Sequence, residues 1–160
     1  MITSAELQAL LDAMTAAAES GDSAGFAAAF TGDAVYHDYI YGDHAGHAGI
    51  RSMLDEHFLR DATDYHWKFF DAVCDGDHGY AWSLSRFVST VPEFAGRPVL
   101  IDGMSRFRLR GGLIAEYWES VNGGIAMAQL GVAPARMEKV FRKWGGWLEA
   151  RPEVRRYLGL

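Results

Sequence analysis

The chain has 160 residues, 49% of them apolar, with one cysteine and a formal net charge of −6. That length suits one domain with its own core, and that apolar content excludes a disordered chain. The acidic balance argues against nucleic acid or an anionic membrane as a partner, and no apolar run is long enough to span a bilayer.

An N-terminal helix is expected over Thr3–Glu19. Thr3 and Glu6 have capping-box spacing, and Leu7, Leu10, Leu11, Met14 and Ala18 form an apolar stripe. Ser20-Gly21-Asp22 ends it, and Asp22 is suited to cap a short second helix carrying Phe26 and Phe30. After Gly32-Asp33 comes a short extended run, Ala34 to Tyr39, then a glycine-rich loop from Gly42 to Gly49 with His44 and His47. A third helix follows over Ala48–Arg60, with Ile50, Met53, Leu54, His57 and Phe58 on one side. No basic stretch precedes an apolar run at the N-terminus, so no signal peptide is expected. The single cysteine, Cys74, fits a reducing cytoplasm.

Tyr65–Cys74 reads as a strand, and Asp75-Gly76-Asp77 as its turn into three longer ones, Tyr80–Thr90, Arg97–Arg110 and Leu113–Asn122. The links between them are too short for parallel crossovers, so the strands are antiparallel. Side chains alternate between faces. One face of the first long strand carries Trp82, Leu84, Arg86 and Val88; the second offers Ile101, Gly103, Ser105, Phe107 and Leu109, and the third Tyr117, Glu119 and Val121. Taken as the inner face, this surface is largely apolar yet includes Arg86 and Glu119, and a buried charge needs a partner or a function. Trp67 and Trp118 are expected on the outer, convex face, where exposed aromatics suggest a partner subunit.

Gly123-Gly124 breaks the last strand. Pro134 opens a helix with a stripe of Met137, Val140, Phe141, Trp144 and Trp147, and Pro152 opens a last short one. Helices first and antiparallel strands afterwards make an α+β order. A long twisted sheet curls, which predicts a cone closed by the N-terminal helices, with a small-molecule pocket between the two. Residues 1–133 read as the main domain and 134–160 as a helical extension packed on it.

The segments GDSAGFAAAFTGDAVYHD, AGHAGIRSMLDEHF and Tyr80–Asn122 resemble the nuclear-transport-factor-2-like proteins of the SnoaL-like, ketosteroid isomerase and limonene epoxide hydrolase group. The resemblance implies that Asp38 stands where the isomerases carry their carboxylate base. Tyr36 matches a tyrosine that helps the hydrolases hold water. Arg86 and Glu119 match two members of the hydrolases' carboxylate–arginine–carboxylate set, whose remaining carboxylate is replaced by Val88. The isomerases' oxyanion pair is absent, since Met14 and Gly103 stand near those positions.

The residue types lead independently to a similar site. A carboxylate in an apolar pocket has a raised pKa suited to a general base, and a neighbouring arginine holds another ionised. Asp38 is thus a candidate base, Arg86 and Glu119 its electrostatic partners, and Tyr36 and His57 hydrogen-bond donors or proton carriers. Met14, Leu54, Trp82, Leu84, Val88, Ile101, Phe107, Tyr117 and Val121 are candidate walls. No metal site and no cofactor are expected, because neither HExxH nor CxxC spacing occurs. Two functions stay open: a cofactor-free acid–base enzyme (isomerase, dehydratase, cyclase or epoxide-hydrolase-like) acting on a hydrophobic, ring-bearing substrate, and a non-catalytic ligand-binding or dimerisation module. A homodimer is expected in either case.

Overall fold

A computed structural model describes residues 2–160. Helix α1 (Ser4–Ser20) opens with the expected capping box: the Thr3 hydroxyl accepts from the Glu6 N–H, and the Glu6 carboxylate accepts from the Thr3 N–H at 2.7 Å. Gly21, in the left-handed region at φ 74°, closes it. Helix α2 (Ser23–Ala27) is capped by Asp22. It is shorter than expected, and Phe30 instead opens strand β1 (Phe30–Asp38). The glycine-rich stretch is more ordered than a loop. Gly42, at φ 97°, turns the chain into strand β2 (Gly42–Ala45), which pairs antiparallel with β1. Helix α3 (Gly46–Met53) then runs through a π-helical turn at Leu54–Phe58 into α4 (Leu59–Asp61).

Strands β3 (Ala62–Asp75), β4 (His78–Ser89), β5 (Pro98–Arg110) and β6 (Leu113–Val121) complete one open, curled sheet. Its order is β2-β1-β6-β5-β4-β3. Only β1 and β6 pair in parallel. The architecture is the expected α+β cone, with the N-terminal helices on the concave side. Leu7, Leu11, Met14, Phe26, Tyr36, Ile50, Leu54, Phe69, Phe107 and Tyr117 form one fully buried core between helices and sheet.

The inner face of β4 is the opposite of the expected one. Ser85 pairs with Ile101, Ser83 with Gly103 and Ala81 with Ser105. Directly opposed residues share a face, so the small side chains of β4 point inward with Ile101 and Phe107, as does Phe87. Trp82, Leu84, Arg86 and Val88 point outward. Trp82 packs on Phe70 with ring centroids 5.0 Å apart, and Arg86 pairs with Asp64 at 2.7 Å on the outer surface, far more exposed than a buried pair. Apolar content alone pointed the other way, because the cavity side of this strand is built from small residues. Strands β5 and β6 have the expected faces.

Strand β3 changes face twice. Asp64 and Asp71 have positive φ, 51° and 55°, beside register shifts between Thr63 and His66 and between Phe70 and Val73. These β-bulges each add one residue and reverse the alternation. Trp67, expected outside, is therefore buried with Phe69, while Ala62 and Ala72 point inward on either side of the bulges. Gln8 of α1 spans the second bulge, donating to the Phe69 carbonyl at 3.0 Å and accepting from the Ala72 N–H at 3.3 Å. Glu19 accepts from the Trp67 N–H. Helix α1 thereby covers the edge of the sheet, which would otherwise present free backbone groups.

After β6 come α5 (Gly123–Gln129), α6 (Pro134–Ala150) and α7 (Pro152–Leu158). Neither α6 nor α7 buries a whole side chain. Helix α6 touches the rest of the molecule through Trp144, Phe141 and an Arg136–Glu93 ion pair at 2.5 Å. No helix among the described residues is long and apolar enough to cross a membrane.

Exposed ion pairs contribute little, about 0–1 kcal/mol. Arg86→Ala should therefore change unfolding free energy by less than about 1 kcal/mol, whereas breaking a buried pair costs about 3–5 kcal/mol. Chemical denaturation checks this; a loss in the larger range would place Arg86 inside after all.

Candidate active site

Strand β1 ends at Asp38, and the turn that follows folds back over its carboxylate. Asp38 Oδ1 accepts from the Ile40 N–H at 2.7 Å and the Tyr41 N–H at 2.5 Å. The Tyr39 N–H points the other way and donates to Glu119 Oε1 at 3.1 Å. Three successive backbone donors thus serve two carboxyl groups, one from β1 and one from β6. The parallel pairing of the strands, with Tyr36 opposite Tyr117, brings the two together. The Tyr36 and Tyr117 hydroxyls donate to Glu119 Oε2 at 3.3 and 3.4 Å, and the Ser105 hydroxyl is 2.9 Å from that of Tyr117. The two tyrosine rings stack at 4.1 Å.

This pair opens onto a cavity of about 110 Å³ between the concave face of the sheet and the π-helical turn. Tyr36, Tyr41, Phe58, Tyr65, Trp67, Phe87, Ile101 and Val121 supply most of its wall, and Ser83 and Ser85 make its floor small-sided. The volume is below the roughly 300–1,000 Å³ of ordinary ligand pockets, so the site suits one ring or one end of a molecule. His57 enters from the π-helical turn, a distortion frequent at functional sites. Its ring stacks on Tyr41 at 4.5 Å, and its buried Nδ1 has no hydrogen-bond partner among the described residues. Tyr41 in turn donates to Asp61 at 3.0 Å, which Arg60 also holds.

Burial removes water from both carboxyl groups and raises both pKa values. Glu119 is pushed up to about 8, first by burial and then by the Asp38 charge beside it. For Asp38, burial outweighs the Tyr41 and Ile40 N–H groups, the Glu119 hydrogen bond and His57, all of which favour its charged form. Of the two, Glu119 is the group whose protonated form burial and the neighbouring Asp38 charge favour, whereas the two backbone N–H bonds on Asp38 favour its charged form. Burial also raises the Tyr36 and Tyr117 pKa values well above the ordinary phenol value, so both hydroxyls remain donors.

The structure brings together Asp38, Glu119, Tyr36 and His57, with Ile101 and Val121 in the wall. Arg86, Trp82, Leu84 and Val88 are outside, for the register reason given above. Met14, Leu54 and Phe107 are fully buried in the core and do not line the cavity, and Tyr117 reaches the site only through its hydroxyl. The set of carboxylate, arginine and carboxylate is not assembled. Sequence reasoning missed Tyr41, Tyr65, Trp67, Ser83, Ser85 and Phe87. The alternation of β4 could have pointed to its serines once the register with β5 was known; Trp67 had no such signal, because it depends on the bulges. Among the described residues, no group of three His, Cys, Asp or Glu is placed to hold a metal ion.

The carboxyl pair has a stability signature. A carboxyl group with a raised folded-state pKa binds more protons folded than unfolded between the unfolded value, near 4.5 for Glu119, and the folded value of about 8. Folding stability therefore falls as pH rises through that window and is fully retained below it. Glu119→Gln should flatten this fall. Urea midpoints from pH 5 to 8.5 measure it, and parallel curves for parent and variant would contradict the assignment.

The sequence model of the SnoaL-like domain matches residues 11–117. No curated protein sequence is similar enough to match. Among solved structures, TsrD from Streptomyces laurentii superposes with a TM-score of 0.72 at 19% identity, over 83% of this chain and all of that one. IdmH from Streptomyces antibioticus, a proposed polyketide cyclase, gives 0.65 at 23% identity over 78% of this chain and 97% of its own. An epoxide hydrolase of the limonene epoxide hydrolase type from M. tuberculosis gives 0.64 at 15% identity over 79% and 90%. At these identities the superpositions show a shared fold. The sequence match includes Asp38 and ends two residues before Glu119, and the chain belongs to the SnoaL-like domain family.

Proposed function

We propose that this protein is a cofactor-free acid–base enzyme acting on a small, hydrophobic, ring-bearing molecule. The observation that carries the reading is the buried Asp38–Glu119 pair at the wall of an aromatic-lined cavity, with two backbone N–H groups on Asp38 and two tyrosine hydroxyls on Glu119. Two adjacent carboxyl groups with different proton affinities supply a base and an acid in one place. Asp38 removes a proton from a carbon beside a carbonyl, while Glu119 gives its proton to the carbonyl oxygen, leaving an enol. Tyr36 and Tyr117 hold Glu119 in place, and His57 is a second proton carrier at the cavity wall. Returning a proton to a different carbon makes the reaction an isomerisation; attack of the enol carbon on a second carbonyl makes it a cyclisation, and loss of a neighbouring hydroxyl as water makes it a dehydration. The likeness to a proposed cyclase agrees with this class. Epoxide hydrolysis of the arginine-assisted kind is disfavoured, because Arg86 lies on the outer surface.

The test is deuterium uptake by small cyclic ketones in heavy water, followed by NMR. Asp38→Asn should lower the exchange rate by about 10²–10⁴-fold, the usual contribution of a positioned general base. The rate should fall as pH rises through about 8, where Glu119 loses its proton. A module that only binds ligands would take up the same ketones and exchange nothing above the buffer rate.

The outer face supports a homodimer. Trp82, Leu100, Met104 and Val73 are each more than one-third exposed there and stand together with Phe70, Leu84 and Val88 on neighbouring strands. Exposed apolar side chains of this number, interspersed with Lys68, Arg86 and Asp102 on the same face, suit an interaction surface. Replacing Trp82 and Met104 together by Lys should yield a folded monomer by analytical ultracentrifugation; a parent chain already monomeric at high micromolar concentration would count against the dimer.

A further inference from the structure

Helix α6 lies beyond the residues matched by the family, and most of its surface is in solvent. Trp144 makes its most intimate contact with the domain. Trp144 meets Tyr39 edge-on, with ring centroids 4.9 Å apart and planes at 64°. The same indole is seated on Gly123, so closely that a Cβ there would be 2.6 Å from its Cη2 atom. Phe141 backs it at 5.7 Å and packs above Gly124. Trp144 therefore touches two segments at once: the turn that follows Asp38 and the chain that follows Glu119 and Val121.

Tyr39 has a divided role in that turn. Its ring belongs to the contact with α6, while its peptide N–H is bonded to Glu119 at 3.1 Å. Its neighbours Ile40 and Tyr41 give their N–H groups to Asp38. Any rotation of the Tyr39 backbone disturbs all three donors. The turn has no other aromatic clamp at Tyr39 among the described residues, and Gly123 is the residue type that lets an indole approach the main chain so closely.

We propose that Trp144 is a positioning residue of this site: by clamping Tyr39 it keeps that residue's N–H on Glu119, which makes the C-terminal helix a working part of the carboxyl pair. It touches neither carboxyl group and is not a catalytic residue. The inference rests on the reading of Asp38 and Glu119 as the working pair. Its test follows the titration of Glu119 rather than turnover, so it stands or falls separately from the proposed reaction.

The Tyr39 N–H favours the charged form of Glu119. Loosening it should let Glu119 keep its proton to higher pH. The other titratable groups around the cavity are Asp38 and Tyr36 from β1, Tyr41 from the turn, His57 from the π-helical turn and Asp61 from α4, with Arg60 on Asp61. Tyr65 comes from β3, Asp102 from β5 and Tyr117 from Glu119's own strand. None of their rings is in contact with Trp144, whose ring partners are Tyr39 and Phe141.

The experiment is a ¹³C carboxyl NMR titration of Glu119 in the full chain, with the resonance assigned by Glu119→Gln. Trp144→Ala should raise the midpoint by roughly half to one pH unit, the size expected for weakening one hydrogen bond to a charged group. Trp144→Phe, which keeps an aromatic ring on Tyr39, should hold the midpoint close to the parent value, and Trp147→Ala on the exposed side of the same helix should leave it unchanged. Tyr39→Leu should reproduce the shift, and adding Trp144→Ala to it should add nothing, since the first residue acts through the second. An unchanged midpoint in folded Trp144→Ala overturns the proposal, and so does a shift that adds fully to that of Tyr39→Leu. If Trp144→Ala does not fold, Tyr39→Leu decides: a midpoint equal to the parent's overturns it.

Discussion

The site depends on one antiparallel register, in which Ser85 of β4 stands opposite Ile101 of β5. That pairing points Ala81, Ser83 and Ser85 into the cone and sends Trp82, Leu84 and Val88 out. Small side chains on the inner face leave room between sheet and helices, and a cavity remains where a close-packed core would otherwise form. A register shifted by one residue would fill the same space with an indole and three aliphatic or cationic side chains. It would also leave small side chains in place of Trp82, Leu84 and Val88 on the outer side of β4. Pocket and outer patch are therefore two consequences of one alignment.

Within the cavity, the dominant constraint is the cost of keeping two carboxyl groups away from water. The fold meets it without an arginine or lysine at the pair. Three N–H groups of the Asp38–Tyr41 turn and two tyrosine hydroxyls bond to the carboxyl oxygens, and the raised pKa of Glu119 favours its neutral form. A nearby arginine would have held both groups ionised and left no acid at neutral pH. Moving Arg86 to the surface and retaining a proton on Glu119 are thus linked features, and together they favour proton transfer over arginine-assisted hydrolysis.

The two bulges of β3 act on the same cavity from the edge of the sheet. By adding Asp64 and Asp71 in the left-handed region, which aspartate tolerates better than most residues, the strand turns Tyr65, Trp67 and Phe69 inward over its middle and returns to the original face at both ends. Gln8 and Glu19 satisfy backbone groups along that stretch. The aromatic wall is consequently a product of backbone irregularity as much as of residue type.

Local chemistry was enough to read much of this protein. Capping at Thr3 and Glu6, the stripe Leu7–Leu11–Met14–Ala18, the order of helices and strands and the strict alternation of β5 are each set by residues close in sequence, and each is legible there. Glu119 and His57 were legible as candidates because polar groups on apolar surfaces are conspicuous, and Asp38 and Tyr36 because the residues around them resemble the family's site. The face of β4 was not, because it depends on how the Thr90–Arg97 connection aligns two strands, and an apolar outer face imitates a core face when the surface it offers to another chain is unknown. Nor was Trp67, since a bulge reverses alternation without leaving a periodic trace. The pairing of Asp38 with Glu119, and the raised pKa of both, were decided only by tertiary structure: they require two carboxyl groups 81 residues apart in the chain to be desolvated side by side, and neither distance nor desolvation is a property of the sequence around either one.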